Sequence, residues 1–178
     1  PENLVEIERR MLEEKPEDGG PESGLEGVPG RIQSILKRKG QVILYGPPGT
    51  GKTHWAERAA RDLAARSVFG PLHDDLTGEQ QAQVRHYVRI CTFHPNYGYE
   101  DFMEGYRPEV IDDDMTFKLR DGIFKALCHT ASAEPDHSFY LVIDEINRGD
   151  IPRIFGELLT VLEMDKRGKA IQLPLSED

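Results

Sequence analysis

The chain has few cysteines, no long apolar run and no basic excess. Cys91 and Cys128 are its two cysteines. Neither sits in the short Cys/His spacing of a metal site, so the simplest reading is a pair of buried thiols in a reducing compartment. His86 and His94 flank Cys91, but that spacing fits no familiar zinc site. No stretch approaches the roughly 20 apolar residues that span a bilayer, and the first residues are acidic, unlike a secretory signal. A soluble, cytoplasmic protein with no membrane association is expected. The formal net charge is −10, from 32 acidic and 22 basic side chains, and nine of the acids fall within residues 1–26. An acidic body offers no general basic face to nucleic acid, so any DNA contact has to be local or made through other domains or subunits. No internal repeat is visible.

What is present is organised around Gly46-Pro47-Pro48-Gly49-Thr50-Gly51-Lys52-Thr53. This is a complete phosphate-loop pattern: a glycine, four residues, then Gly-Lys-Thr. Val42 to Tyr45 before it reads as a buried strand, and the segment from Thr53 to about Arg66 reads as a helix. Glycines let the backbone approach a polyphosphate closely, with successive N–H groups and the helix N-terminus facing its charge. The expected nucleotide-binding set is therefore Gly46, Pro47, Pro48, Gly49, Thr50, Gly51, Lys52, Thr53 and His54. Lys52 would reach the β- and γ-phosphates, and the Thr53 hydroxyl would ligate Mg²⁺.

Around that centre, residues 2–15 show helical spacing (Leu4, Ile7, Met11), and Pro16 to Gly30 reads as a linker. Arg31 to Lys39 forms an amphipathic helix that Gly40 ends. Residues 67–83 read as polar and irregular, and Tyr87 to Phe93 as a second strand. Val110-Ile111 and Thr116 to Leu119 flank Asp112-Asp113-Asp114-Met115, a hairpin over about 106–119 with an acidic tip. That hairpin is expected to project towards a pore or a partner. Gly122 to Ala133 and Ile151 to Glu163 read as helices, and Ile171 to Leu175 as a short strand.

The second chemical centre is Phe139 to Arg148. A continuous apolar run ending in acids reads as a central parallel strand, buried on both faces, that delivers carboxylates at its C-terminal end. Asp144 would hold Mg²⁺ and Glu145 would polarise the attacking water. An adjacent carboxylate pair argues against a small-molecule kinase. The fold class expected is α/β, a phosphate-loop NTPase core whose parallel sheet has helices on both faces, with a β-hairpin insertion.

The blocks GPPGTGKT (46–53), FHPNYGYEDFMEGYRP (93–108), LRDGIF (119–124), VIDEINRGDIPRIFGELLTVLE (142–163) and DKRG (165–168) together resemble the McrB family. Members of that family are AAA+ subunits of modified-cytosine-specific restriction systems. The likeness runs from about residue 31 to the end. It implies an incomplete AAA+ core over residues 31–178, ending before the last core strands and lid, preceded by an acidic extension over 1–30. It also implies a ring, commonly a hexamer, that prefers GTP and activates a McrC-like nuclease subunit. Lys52, Thr53, Asp144 and Glu145 fall on the family's phosphate, metal and acidic positions. Asn147 and Arg148 match a polar pair that the resemblance places near the γ-phosphate or a subunit interface, which makes them catalytic candidates with Glu145 and Lys52. No Asn-Lys-x-Asp guanine motif occurs, so GTP against ATP stays open. A chain without the lid and a neighbour's arginine is expected to bind nucleotide weakly and hydrolyse it slowly. The alternatives are a related AAA+ chaperone-type ATPase that remodels protein partners, and a non-catalytic module in which nucleotide only organises assembly.

Overall fold

The computed structural model describes residues 24–111, 114–163, 165–167 and 170–175. The expected helix at 2–15, and Asp112 and Asp113 of the hairpin tip, lie outside the described residues.

Two strands form the parallel ladder at the centre: β1 (Val88–Thr92) and β4 (Tyr140–Asp144), in register from Val88 opposite Tyr140 to Thr92 opposite Asp144. Alternation along a strand sends successive side chains to opposite faces. Val88, Tyr140 and Val142 therefore meet Ala60, Ala64 and Ala65 of helix α2 (Lys52–Phe69), with Leu76 and Val84 closing that layer. Three small residues on one stripe let the helix lie close to the sheet. The opposite face carries Cys91, Leu141 and Ile143, packed with Phe93, Phe102, Met103, Ile154, Phe155 and Leu158. Helices thus cover both faces, as the α/β reading requires. β4 is only partly buried along its whole length, short of the full burial expected.

Several elements differ from the sequence reading. Helix α1 spans Gly27–Lys39 and so starts four residues before Arg31. Pro29 does not delay it, because first-turn N–H groups have no intrahelical acceptor in any case. The polar segment 67–83 contains helix α3 (Gly78–Val84), opened by a capping box in which Gln80 N–H donates to Thr77 Oγ1 (3.4 Å) and Thr77 N–H to Gln80 Oε1 (3.0 Å). Residues 42–45 do not form a strand, and Ile43 and Tyr45 are 73% and 62% exposed. Extended backbone becomes sheet only by pairing, and among the described residues β4 pairs with β1 alone. Residues 171–175 are likewise not a strand. The single helix expected over 151–163 is two, α6 (Ile151–Phe155) and α7 (Leu158–Val161). The break is at Gly156, whose φ is +50° and where a Cβ would lie 2.9 Å from the Tyr99 ring. Cys128 is exposed rather than buried.

Between β1 and β4 the chain makes the short helix α4 (Tyr99–Phe102), the hairpin β2 (Glu104–Ile111) and β3 (Asp114–Asp121), and helix α5 (Ile123–Ala133). The hairpin pairs from Glu104 opposite Asp121 to Ile111 opposite Asp114, longer at its base than expected. Tyr106, Pro108 and Val110 face Leu119, Phe117 and Met115 across the ladder, so one face is apolar, and Val110, Met115 and Phe117 are more than 60% exposed.

Candidate functional site

The turn from residue 46 into α2 has glycine where the backbone demands it. Gly49 and Gly51 have φ of +80° and +77°, a region that side-chain-bearing residues enter only with strain. Gly51 also caps α2: its carbonyl accepts the Trp55 N–H at 2.9 Å. Thr50 Oγ1 donates to the Pro47 carbonyl (2.9 Å), which pins the turn. The Lys52 ammonium donates to the carbonyls of Gly46 (3.1 Å) and Pro47 (2.9 Å), so it lies across the loop from the first helical turn. The orphan N–H groups and dipole of an 18-residue helix converge on the same spot.

β4 brings the acids to that end. Thr53 Oγ1 donates to Asp144 Oδ1 at 3.0 Å, joining two residues 91 apart in sequence. The Glu145 N–H donates to the same oxygen, also at 3.0 Å. Glu145 itself has φ +52° and ψ +38°, the one non-glycine residue with positive φ among those described. Its backbone turns the chain out of the strand into a 3₁₀ turn, Ile146–Arg148. Arg148 Nε then sits 3.0 Å from Glu145 Oε2. The structure so gathers Lys52, Thr53, Asp144, Glu145 and Arg148 at one edge, while Asn147 is exposed on the turn beside them.

His54 is placed differently from its neighbours. Its ring meets the edge of Trp55 at 5.1 Å and lines a polar cavity of about 120 Å³ with Glu57, Arg61, His73 and Asp74. Its backbone continues the loop's row of N–H groups. The sequence reading missed a larger cavity of about 570 Å³, between residues 24–29 and the α2 face that carries Trp55, Arg58 and Arg66. The signal available was Trp55, a large ring two residues past the phosphate-loop threonine. Cys91 is a core residue: burial pushes its thiol up to about 11, against a hydrogen bond from Tyr97 that acts the other way. That setting holds a thiol inert.

Comparison with known proteins agrees with this architecture. Residues 41–170 match the AAA domain family, dynein-related subfamily. The type IV methyl-directed restriction enzyme EcoKMcrB subunit of Escherichia coli (strain K12) is 40% identical over 148 residues, covering 82% of this chain and 28% of that protein. The type II restriction enzyme BsuMI component YdiS of Bacillus subtilis (strain 168) is 24% identical over 161 residues, 78% of this chain and 41% of its own length. The peroxisomal ATPase pex6 of Schizosaccharomyces pombe is 31% identical over 122 residues, 65% of this chain and 13% of its own length. The chain thus spans less than half the length of these relatives. No helix among the described residues is long and apolar enough to cross a membrane.

Proposed function

The chain belongs to the AAA domain family, dynein-related subfamily, and from that premise we propose that it binds and hydrolyses a nucleoside triphosphate, GTP or ATP, with Mg²⁺, as the motor part of a McrB-like restriction system. The observation that carries this reading is the Thr53–Asp144 hydrogen bond. It sets a hydroxyl and a carboxylate oxygen side by side at the mouth of a glycine-rich loop, and hard oxygen ligands of this kind suit Mg²⁺. Thr53 and Asp144 would hold the ion, which when bound neutralises charge on the β- and γ-phosphate oxygens.

The chain's own groups do the rest. The N–H groups of Gly49 to His54 cradle the phosphates, and Lys52 exchanges its loop carbonyls for phosphate oxygens. Glu145 accepts a proton from, and orients, the attacking water, with Asn147 beside the γ-phosphate. The cavity beside Trp55 takes the base and ribose. Catalysis on this reading is positioning plus charge stabilisation. In the intact protein, turnover drives a self-assembled ring, a hexamer, that engages a McrC-like nuclease subunit and reaches DNA through other domains. A second reading is a related chaperone-type ATPase that remodels protein partners; the likeness to pex6, a peroxisomal ATPase, supports an ATPase outside restriction systems.

The test separates the two acids. Asp144→Ala removes a metal contact and is expected to weaken Mg²⁺-dependent nucleotide binding. Glu145→Gln keeps shape and loses charge, so binding persists while phosphate release slows by about 10²–10⁴-fold, the scale for losing a general base. Equal loss of affinity in both variants would contradict these roles. Stimulation of turnover by a nuclease subunit favours the restriction reading, and stimulation by an unfolded protein favours the other.

A further inference from the structure

We infer that the basic flank of helix α1, with Arg167 docked at its end, is a contact for the phosphate backbone of duplex DNA, made by this module itself. The inference goes beyond the reading above, in which DNA is reached through other domains. Only the choice of DNA among polyanions rests on the restriction reading.

Charge along this part of the chain runs against the overall sign. The protein has 32 acidic residues, yet none falls between Gly27 and Ala56, where Arg31, Lys37, Arg38, Lys39 and Lys52 are the charged side chains. Four of these lie on α1, and all four are exposed. A local basic surface on an acidic body is the electrostatic footprint of a polyanion site. Arg31 and Arg38 are seven residues apart and so share one flank of the helix. At 1.5 Å per residue they are about 10 Å apart, about three steps of a DNA strand at 3.4 Å per phosphate. Lys39 extends the same surface to the helix end.

Tertiary packing adds a cation from far along the chain. Arg167, 128 residues beyond Lys39, donates from Nη2 to the Lys39 carbonyl and to the Leu162 carbonyl (3.3 Å), pinning the end of α1 to the end of α7. Gly40 makes the seat, because a Cβ there would lie 2.5 Å from Arg167 Nη1. Both carbonyls are met by one nitrogen of a fork with five donors, and Arg167 is exposed, so the guanidinium has further donors for a phosphate. The acids of the second segment are Glu163, 2.6 Å from Lys166, and Asp165. They leave the two segments together clearly basic. Cations in a last turn also suit the helix dipole. That effect does not account for Arg31, which lies in the N-terminal half of α1.

The experiment is fluorescence anisotropy of the full chain with a labelled duplex of about 20 base pairs, from about 50 to about 200 mM salt. Four phosphates neutralised by Arg31, Arg38, Lys39 and Arg167 predict a slope of log K against log salt of about −3.6, a loss of about 150-fold over that range. Duplexes of different sequence should bind alike. Arg31→Gln/Arg38→Gln should lower the slope by about two for every duplex, and Arg31→Lys/Arg38→Lys should keep it. Mg²⁺-nucleotide affinity and melting temperature should match the parent in both variants. No duplex binding by the parent at about 50 mM salt, an unchanged slope in the glutamine variant, or marked sequence preference would overturn the inference. So would displacement of the duplex by poly-glutamate at equal charge, which would give the surface to an acidic protein. A parent that binds duplex through these residues but binds no nucleotide leaves this inference standing and overturns the functional reading instead.

Discussion

Lys125→Met should be among the most damaging single changes outside the core. Glu104, the first residue of β2, is fully buried, and its Oε2 lies 2.5 Å from Lys125 Nζ on α5. Lys125 also reaches Asp121, at the end of β3, at 3.2 Å. One ammonium, itself 19% exposed, thereby joins both strands of the hairpin base to the helix that follows. Methionine fills the same space but takes the ammonium away from the buried Glu104 carboxylate. Breaking a buried pair from one side costs about 3–5 kcal/mol. The lower end, about 3 kcal/mol, applies because the lysine head keeps some contact with water. At about 2–4 °C per kcal/mol for a chain of this size, the melting temperature should fall by about 6–12 °C. Glu104→Gln removes charge and buried cost together and should lose only about 1–1.5 kcal/mol, the scale of one hydrogen bond. The double variant should be more stable than Lys125→Met alone. Urea melts of the four proteins, with amide exchange across residues 104–121, read this directly. If Lys125→Met were no worse than Glu104→Gln, or the double variant no better than Lys125→Met, the buried charge would not be what the lysine compensates.

Gly122→Ala should be destabilising although its backbone is ordinary, because a Cβ there would lie 2.3–2.6 Å from the backbone of Phe102 and Met103; a thermal melt within about 0.5 kcal/mol of the parent would refute this. Asp101 carries an acid-dependent term. Burial pushes its carboxyl up, but the Gly98 N–H and the Arg107 guanidinium together hold it below the ordinary value. A depressed folded-state value means stability present above the unfolded value of about 3.9 and lost as pH falls through the folded one. Arg107→Gln should therefore flatten the fall in stability below about pH 4, and an unchanged acid limb would count against the pairing. Thr53→Val should abolish the Mg²⁺ dependence of nucleotide binding while leaving most metal-free affinity, as measured by titration with and without chelator.

Local rules were enough for much of the backbone geometry around the candidate site. The phosphate-loop spacing placed glycines where φ is positive and a lysine and threonine on the first helical turn, because those constraints act within eight residues. The apolar run ending in Asp144 and Glu145 marks a strand end, and Thr77 and Gln80 have the spacing of a capping box in the sequence itself. Tertiary structure alone decided the rest. The bond between Thr53 and Asp144 spans 91 residues, and only the packing of α2 against β4 closes that distance. Residues 42–45 have a strand's composition but no strand partner among the described residues, since sheet forms by backbone partners that no single segment can supply. Glu104 reads as one more acid in an acidic segment, and becomes a buried anchor only when α5 delivers Lys125 to it. Arg148 is three residues from Glu145 in any conformation. It meets the carboxylate because a left-handed residue and a 3₁₀ turn, held by Asp144, bring the two side chains to the same side.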